Sequence, residues 1–295
     1  MNSDAYCVFC GTSTAERPAA ESATVRCNVR EFGAETFTVW RCAKCGSLHA
    51  LEPIDADRYY QDYPIKLQKY SFFTEVMLRK RLGILKRAGL HRGNTLLDYG
   101  CGSGHFVRYA REHGIHAEGY DPYSEEFGDA SVLNRRYDFV TAQDVIEHVD
   151  DPCALVDDLK NYAALGGRLA IGTPNAGEID LYNQLDWIAP LHQPYHRHIP
   201  SVAELQRMAS EGGWQITEFS KKWYGDTRVP FVNTAFMCRY AISAGGFIDA
   251  GLWDPISSQL KYLLTHPSLI FWGLFGSFFS RKTEMVVVAR APALR

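Results

Sequence analysis

The 295-residue sequence has no apolar run long enough to cross a bilayer. Its longest such run, Leu269 to Phe279, falls well short of the roughly 20 residues that a membrane-spanning helix needs. The N-terminus, MNSDAYCVFC, also lacks the basic start and the apolar stretch of a secretory signal. We therefore expect a cytoplasmic protein, whose cysteines are thiols or metal ligands and not disulfides.

An excess of positive charge is missing as well. The formal net charge is −3 and the isoelectric point is near 6.4, so the chain has no general attraction to polyphosphate. Only Arg79 to Arg81 and Lys221 to Lys222 come close to a basic cluster, which makes nucleic acid an unexpected partner. Hydrophobic residues make up 46% of the chain, which is ample for one core of ordinary size with appendages.

Four of the eight cysteines fall in two pairs with a two-residue gap, Cys7 with Cys10 and Cys42 with Cys45. Two such pairs let four thiolates converge tetrahedrally on one structural zinc ion. We expect a zinc ribbon over residues 1–50, whose folding depends on the metal because so small a segment buries little apolar surface. The other four cysteines are expected to be packing residues.

A glycine turn is the most informative feature of the chain. Thr95 to Gly104, TLLDYGCGSG, indicates a short buried strand that runs into Gly100, Gly102 and Gly104 before a helix begins. These glycines allow tight turns and the close approach of a ligand. A dinucleotide fingerprint needs a further glycine at His105, whereas Asp98 suits a cationic ligand group. The pattern therefore favours S-adenosylmethionine (SAM) over NAD.

The next predicted strand ends at Asp121, 21 positions after Gly100. An acid at this offset accepts hydrogen bonds from ribose hydroxyls in nucleotide sites of this kind. A further strand begins at Tyr137, a helix is expected from Cys153 to Leu165, and another strand from Arg168 to Thr173. This alternation predicts an α/β fold with a parallel sheet and helices on both faces.

At these positions the sequence resembles the class I methyltransferases that use SAM, including those of the ubiquinone pathway. The segments LLDYGCGSGHF, GYDP, YDFVTAQDVIEHVDDP and GGRLAIGTPN are similar to the family's successive motifs. The resemblance covers about residues 59–219 and again 284–289. It implies a Rossmann-like sheet of seven strands, here with an N-terminal zinc ribbon and an aromatic-rich insertion before the last strand.

The resemblance also implies which residues hold the cofactor. The methionine portion would lie on Asp98 and the three glycines, the ribose on Asp121, and the sulfonium between Gln143 and Asp144. Their neighbours in the same motifs complete the expected cofactor site: Tyr99, Cys101 and Pro122. One departure is clear, because only 17 positions separate Asp121 from Asp138, where the family has a helix, a strand and an acidic contact to the adenine. Asp129 is one candidate for that contact.

Acids and imidazoles mark the expected acceptor side: Asp144, Glu147, His148, His192, His196 and His198. Three interpretations remain open. A divalent cation such as magnesium could polarise the acceptor hydroxyl, as the resemblance to O-methyltransferases with an acid-x-x-Glu-His motif implies, although the first acid here is the shorter Asp144. His148 or His196, with Glu147 nearby, could act as the general base. Alternatively, these side chains only stabilise a strand end and a loop.

We divide the chain into a ribbon (1–50), a helical bridge (51–93), a SAM-binding core (94–223), an insertion (224–283) and a last strand with a tail (284–295). The insertion is rich in aromatic residues. It is either an apolar lid over the active site, suited to an aromatic or lipid-like acceptor, or a cover packed on the core or on a second copy in a homodimer.

The predicted function is SAM-dependent methyl transfer to a small molecule, at oxygen, in a biosynthetic pathway. Three alternatives stay open: an RNA methyltransferase whose ribbon grips RNA, a sugar C-methyltransferase, and an inactive SAM-binding protein.

Overall fold

The computed structural model describes residues 5–61, 69–222, 224–249, 256–279 and 282–293. These residues form two sheets. The four-stranded sheet contains β1 (Glu21–Arg26), β2 (Thr36–Arg41), β3 (Leu48–Ala50) and β8 (His198–Ile199). The six-stranded sheet contains β4 (Thr95–Tyr99), β5 (His116–Tyr120), β6 (Tyr137–Gln143), β7 (Ala163–Pro174), β9 (Gln215–Ser220) and β10 (Glu284–Arg290).

The α-helices flank these sheets. They are α1 (Ala56–Gln61), α2 (Phe72–Arg87), α3 (His105–Glu112), α4 (Pro152–Asn161), α5 (Gln184–Trp187), α6 (Val202–Ser210), α7 (Thr234–Ser243), α8 (Ile256–Thr265) and α9 (Ser268–Phe275). Capping follows the sequence signals, since the Ser201 side chain accepts from Glu204 N and the Asp151 side chain from Ala154 N. The helix expected to reach Leu165 ends at Asn161 instead, because β7 begins at Ala163.

The six-stranded sheet has the order β5-β4-β6-β7-β10-β9. The first four strands are parallel, and β10 is antiparallel to both β7 and β9. The prediction of an α/β sheet is confirmed, but the prediction of seven strands is wrong for the described residues. Between β5 and β6 the chain forms only a 3₁₀ turn, Ala130–Asn134, because so few residues separate these strands.

Helices cover both faces of this sheet, as predicted. On one face, Leu96, Phe139 and Ala170 of successive strands pack with side chains of α2 and α3. On the other face, their neighbours Leu97, Val140 and Ile171 pack with side chains of α4 and α6. This alternation buries the strands from both sides and leaves the carboxyl ends of β4, β5 and β6 at a common edge.

The N-terminal segment is joined to the rest of the protein by its sheet. Strand β3 pairs with β8, a two-residue strand from the predicted core. In addition, Phe9 and Trp40 belong to the same buried cluster as α4 and α6. Residues of the predicted ribbon and of the predicted core therefore share one sheet and one apolar cluster.

The insertion between β9 and β10 contributes α7, α8 and α9. Its exposed apolar side chains, each between 41% and 81% accessible, are Leu260, Leu264, Ile270, Phe271, Leu274, Phe275, Phe278 and Phe279. Its Trp253 and the neighbouring Trp223 lie outside the described residues, as do residues 62–68 of the predicted bridge. Within the part of the chain that the structure describes, no helix has the length and apolarity needed to span a membrane.

Candidate active site and cysteine cluster

The glycine turn follows β4 as predicted. Gly100, Gly102 and Gly104 have φ angles of +70°, +55° and +71°, a region in which other residues are strained. A Cβ atom on Gly100 would lie 2.4 Å from Val145, and one on Gly104 would lie 2.1 Å from Phe127. A Cβ atom on Gly102 would meet nothing within 4 Å. Two glycines therefore permit close packing, while the middle one keeps the surface of the turn open.

Asp121 stands beside this turn at the end of β5. One carboxylate oxygen accepts a hydrogen bond from Gly102 N at 2.9 Å, and the other accepts one from Tyr123 N at 2.9 Å. Gly102 and Asp121, which were each predicted to contact the cofactor, are thus brought together. Pro122, between Asp121 and Tyr123, is exposed. A carboxylate held by two backbone N–H groups retains lone pairs for a ligand's hydroxyl groups.

Asp98 lies beneath the turn and is 1% exposed. Its Oδ1 atom is 2.5 Å from Nη2 of Arg81 on α2, and the Arg81 guanidinium also lies 3.9 Å from the centroid of the Phe106 ring. Burial raises the pKa of Asp98, while the Arg81 charge opposes that shift. Asp98, whose carboxylate was expected to face the cofactor, therefore already forms an ion pair with Arg81. The sequence patterns did not identify Arg81.

The side chains of Tyr99 and Cys101 pack within the protein. Tyr99 contacts the rings of Tyr120 and Tyr162, at centroid distances of 5.3 and 6.3 Å. Cys101 packs against the buried cluster of α2 and α3, and burial raises the pKa of its thiol. The side chains of these two residues thus support the turn from inside the protein. Only their backbone atoms border the surface of the turn.

Gln143 and Asp144 lie at the end of β6, at the same sheet edge. Asp144 has a φ of +56°, which costs a residue with a Cβ atom roughly 1–2 kcal/mol. Its carboxylate accepts hydrogen bonds from Gln143 Nε2 at 2.7 Å and from the Tyr224 hydroxyl at 3.1 Å. Tyr224 belongs to the start of the insertion, so that segment reaches the candidate site, although the sequence did not predict the Tyr224–Asp144 hydrogen bond itself.

Glu147 is fully buried in the 3₁₀ turn Ile146–His148 that follows β6. Its Oε2 atom accepts a hydrogen bond from the Thr173 hydroxyl at 2.9 Å. Among the described residues, none makes a hydrogen bond to its Oε1 atom. Burial, together with the nearby Asp144 charge, raises the pKa of Glu147 well above its ordinary value.

His196 faces Glu147 from the segment before β8. Its Nδ1 atom lies 2.6 Å from the Pro190 carbonyl oxygen, which can only accept, so Nδ1 carries the proton. Its Nε2 atom lies 4.0 Å from Glu147 Oε1. Burial lowers the pKa of His196 to about 4, so at neutral pH the ring is uncharged with an Nε2 lone pair towards Glu147.

His148 contacts His196, which the sequence analysis named beside it, and Tyr60, which it did not. Its ring centroid lies 4.6 Å from that of His196, and its Nδ1 atom is 3.0 Å from the Tyr60 hydroxyl. The Tyr60 ring is stacked on Tyr123 at 4.8 Å. Burial and the adjacent His196 lower the pKa of His148 well below its ordinary value. Tyr60 of α1 therefore connects the edge that carries Asp121 with the imidazole cluster.

A third carboxylate, Glu284 at the start of β10, approaches this cluster. Burial raises its pKa well above the ordinary value, and the charges of Asp144 and Glu147 add to the shift. Glu284 is 137 positions or more from the other two acids, Asp144 and Glu147, and no motif singled it out.

The Glu147, His148 and His196 side chains could hold a metal ion, because their ligand atoms all lie within 4.8 Å of one another. Two imidazoles and one carboxylate suit zinc, iron or manganese better than magnesium, which prefers oxygen ligands. Asp144, the first acid of the predicted motif, is not part of this group and instead binds Gln143 and Tyr224.

Cys7, Cys10, Cys42 and Cys45 converge as predicted, with all four sulfur atoms within 4.8 Å of one another. Cys7 Sγ lies 3.5 Å from Cys45 Sγ, and Cys10 Sγ lies 3.6 Å from Cys42 Sγ. Four thiolates at 2.3 Å from a tetrahedral zinc ion stand about 3.8 Å apart, so the cluster fits that metal. A hydrogen bond from Cys7 lowers the pKa of Cys45 to about 5, which favours a thiolate.

A family model described as a methyltransferase domain matches residues 67–218, just over half of the chain. A ubiquinone biosynthesis O-methyltransferase of Aeromonas salmonicida is 27% identical over 167 residues, which cover 47% of this chain and 70% of that protein. A protein of the same name from Paraburkholderia phytofirmans is 28% identical over 105 residues, covering 28% of this chain and 45% of its own length.

Two solved structures are also similar. An S-adenosylmethionine-dependent methyltransferase from Mesorhizobium loti matches 72% of this chain and 97% of its own, at 17% identity and a TM-score of 0.43. A chain from the complex between the Haloferax volcanii Trm112 methyltransferase activator and a methyltransferase matches 82% of this chain and all of its own, at 16% identity and a TM-score of 0.48.

Proposed function

This chain belongs to the methyltransferase domain family, and from that premise we propose that it moves the methyl group of SAM to a hydroxyl oxygen of a small molecule. The observation that carries the proposal is the buried pair of Glu147 and His196, next to the sheet edge of the glycine turn. A hydroxyl acceptor must lose its proton as the new bond forms, and an uncharged imidazole can take it. The relatives named as O-methyltransferases support oxygen as the acceptor atom.

SAM is assigned to the open surface of Gly102, between Asp121 and the pair Gln143 and Asp144. Asp121 would accept from the ribose hydroxyls, because both its oxygens are oriented by backbone N–H groups. Gln143 and Asp144 would lie beside the sulfonium, whose positive charge the carboxylate favours. Asp98 is assigned a supporting role, in which its ion pair with Arg81 holds the turn from beneath.

SAM supplies an activated methyl carbon whose bond to sulfur breaks as the bond to the acceptor oxygen forms. The chain's own residues then have two tasks. The first is to align the acceptor, which contacts with Tyr60 and His148 at the rim can provide. The second is to remove the hydroxyl proton, which passes to Nε2 of His196, while Pro190 O keeps Nδ1 protonated and Glu147 faces the resulting imidazolium.

A second candidate places a divalent cation on Glu147, His148 and His196. The observation that favours it is the pair of acceptor atoms, Glu147 Oε1 and His196 Nε2, that face each other at 4.0 Å in a buried site. A cation held there would polarise the acceptor hydroxyl, and the three side chains would act as ligands. Magnesium is disfavoured by the two imidazoles, and a first-row transition metal is the better match.

We also propose a zinc ion on Cys7, Cys10, Cys42 and Cys45. The spacing of the sulfur atoms supports it. Its role is structural, because all four positions around the metal are taken by sulfur.

Transfer of a labelled methyl group from SAM into a cell extract tests the function. The proposal predicts label in the small-molecule fraction, released by cleavage of a methyl ether. Loss of label after brief chelator treatment, with the structural metal still bound, would select the cation mechanism over the base. Label in RNA, or on carbon, would contradict the proposed acceptor, and saturable SAM binding without any label would indicate an inactive binding protein.

A further inference from the structure

His49 connects the cysteine cluster to the segment that carries the candidate catalytic imidazole. Its Nε2 atom lies 3.2 Å from Cys7 Sγ, and its Nδ1 atom lies 3.0 Å from His198 Nδ1. The ring is 1% exposed and packs against Trp40 and Phe9, at centroid distances of 4.6 and 5.6 Å. Both nitrogen atoms of one buried imidazole thus have named partners, a thiol and a second imidazole.

The backbone makes the same connection. His49 of β3 is paired with His198 of β8, and Ala50 N donates to Arg197 O at 2.8 Å. From the other side, Arg197 N donates to Glu147 O at 2.6 Å. Arg197, the residue after His196, is therefore held by β3 through its oxygen and by Glu147 through its nitrogen.

A metal ion on the cysteine cluster would set the direction of this hydrogen-bond chain. A metal-bound thiolate has no proton, so His49 Nε2 must donate to Cys7 Sγ. In a neutral ring Nδ1 of His49 is then an acceptor, which requires His198 Nδ1 to donate. A protonated Cys7 thiol could instead donate to His49, which would reverse both hydrogen bonds.

We propose that His49 is a positioning residue that couples metal loading of the cysteine cluster to residues 192–199, here called the histidine segment. With metal bound, the His49–His198 hydrogen bond and the β3–β8 pairing hold the histidine segment so that His196 faces Glu147. The catalytic consequence rests on the proposed function, whereas the hydrogen-bond chain itself does not.

The NMR resonances of the imidazole nitrogen atoms, measured on the full chain, test the coupling. This experiment needs no methyl acceptor. In the zinc-loaded protein we expect His49 protonated at Nε2 and His198 at Nδ1. Two variants separate the contacts: His49→Gln places an amide near the Nε2 position, and His49→Asn places one near Nδ1. Both should retain one zinc ion per chain, because the four ligands are untouched, and both should shift the His198 and His196 resonances.

Two controls distinguish this coupling from general disturbance. Phe9→Leu alters the packing on the His49 ring without removing a polar contact, and should leave the His198 tautomer unchanged. His113, which directly follows helix α3, should give the same resonances in every variant. The proposal is overturned if the His196 and His198 resonances of both His49 variants match those of the wild type. It is also overturned if either variant loses its zinc, since His49 would then be part of the metal site.

Discussion

Glu147 Oε1 lies 4.0 Å from His196 Nε2 inside the protein, and this buried pair is the one to which the proposed function assigns removal of the acceptor's proton. Each side chain is oriented by its second polar atom, Glu147 by the Thr173 hydroxyl and His196 by the Pro190 carbonyl. Catalytic groups held in this way need little rearrangement when the substrate binds.

The burial of neutral His196 predicts a pH-dependent stability. Its pKa falls from 6.5 to about 4 on folding, so its contribution is fully present above pH 6.5 and is lost as the pH falls towards 4. Between pH 7 and pH 5 the wild type should lose about 2 kcal/mol more unfolding free energy than His196→Gln. Urea unfolding at both pH values measures this difference, and equal losses in the two proteins would refute it.

Two glycines of the turn should respond differently to alanine. Gly100→Ala forces a Cβ atom against Val145 at a positive φ, so it should cost at least about 2 kcal/mol of stability. Gly102→Ala has open space and should cost only about 1 kcal/mol, yet it should weaken SAM binding because a methyl group then covers the turn. Urea unfolding and calorimetric titration with SAM separate the two effects. If SAM binds Gly102→Ala as well as it binds the wild type, the cofactor does not lie on this surface.

Asp121→Asn should weaken SAM binding by roughly tenfold or more, because a charge-assisted hydrogen bond to the ribose contributes about 1.5–3 kcal/mol. The fold should persist, since the amide oxygen can still accept from one backbone N–H group. Asp157→Asn is the matched control, as Asp157 is an exposed acid of α4 that pairs with Lys160. An equal loss of affinity in both variants would contradict the assignment of the ribose to Asp121.

Cys42→Ser should release the metal from the cysteine cluster and destabilise the chain by several kcal/mol. Cys238→Ser changes a buried cysteine in α7 and should leave the metal content unchanged. Elemental analysis of the purified proteins should give one zinc ion per wild-type chain and none in Cys42→Ser. Metal-free wild-type protein with undiminished stability would rule out a structural zinc.

Local sequence spacing correctly predicted the glycine turn after β4 and the acid at the end of β5. The turn at Gly100 and the acid at Asp121 belong to one strand-helix-strand unit, in which each element positions the next. The short interval before Asp138 also indicated where the sheet departs from the family, and the structure has no strand there among the described residues. Such features depend on neighbours along the chain, which a sequence displays directly.

Contacts between distant segments could not be predicted in this way. Arg81 reaches Asp98 from a helix, and Tyr224 reaches Asp144 from the insertion, without any motif that links them. Strand β8 has only two residues, which is too few for a periodic pattern. Its pairing with β3 therefore could not be predicted from the sequence. The histidines near positions 192–198 were recognised as candidates, but only the structure distinguishes His196 from His198.

The most direct test of the central claim combines methyl transfer with SAM binding in the wild type and in His196→Gln. The account predicts label in a small-molecule methyl ether for the wild type, a rate reduced by about 10²-fold or more for the variant, and equal SAM affinity for both. His113→Gln, remote from the site, should behave as the wild type. Full transfer by His196→Gln, or label found in RNA, would contradict the account.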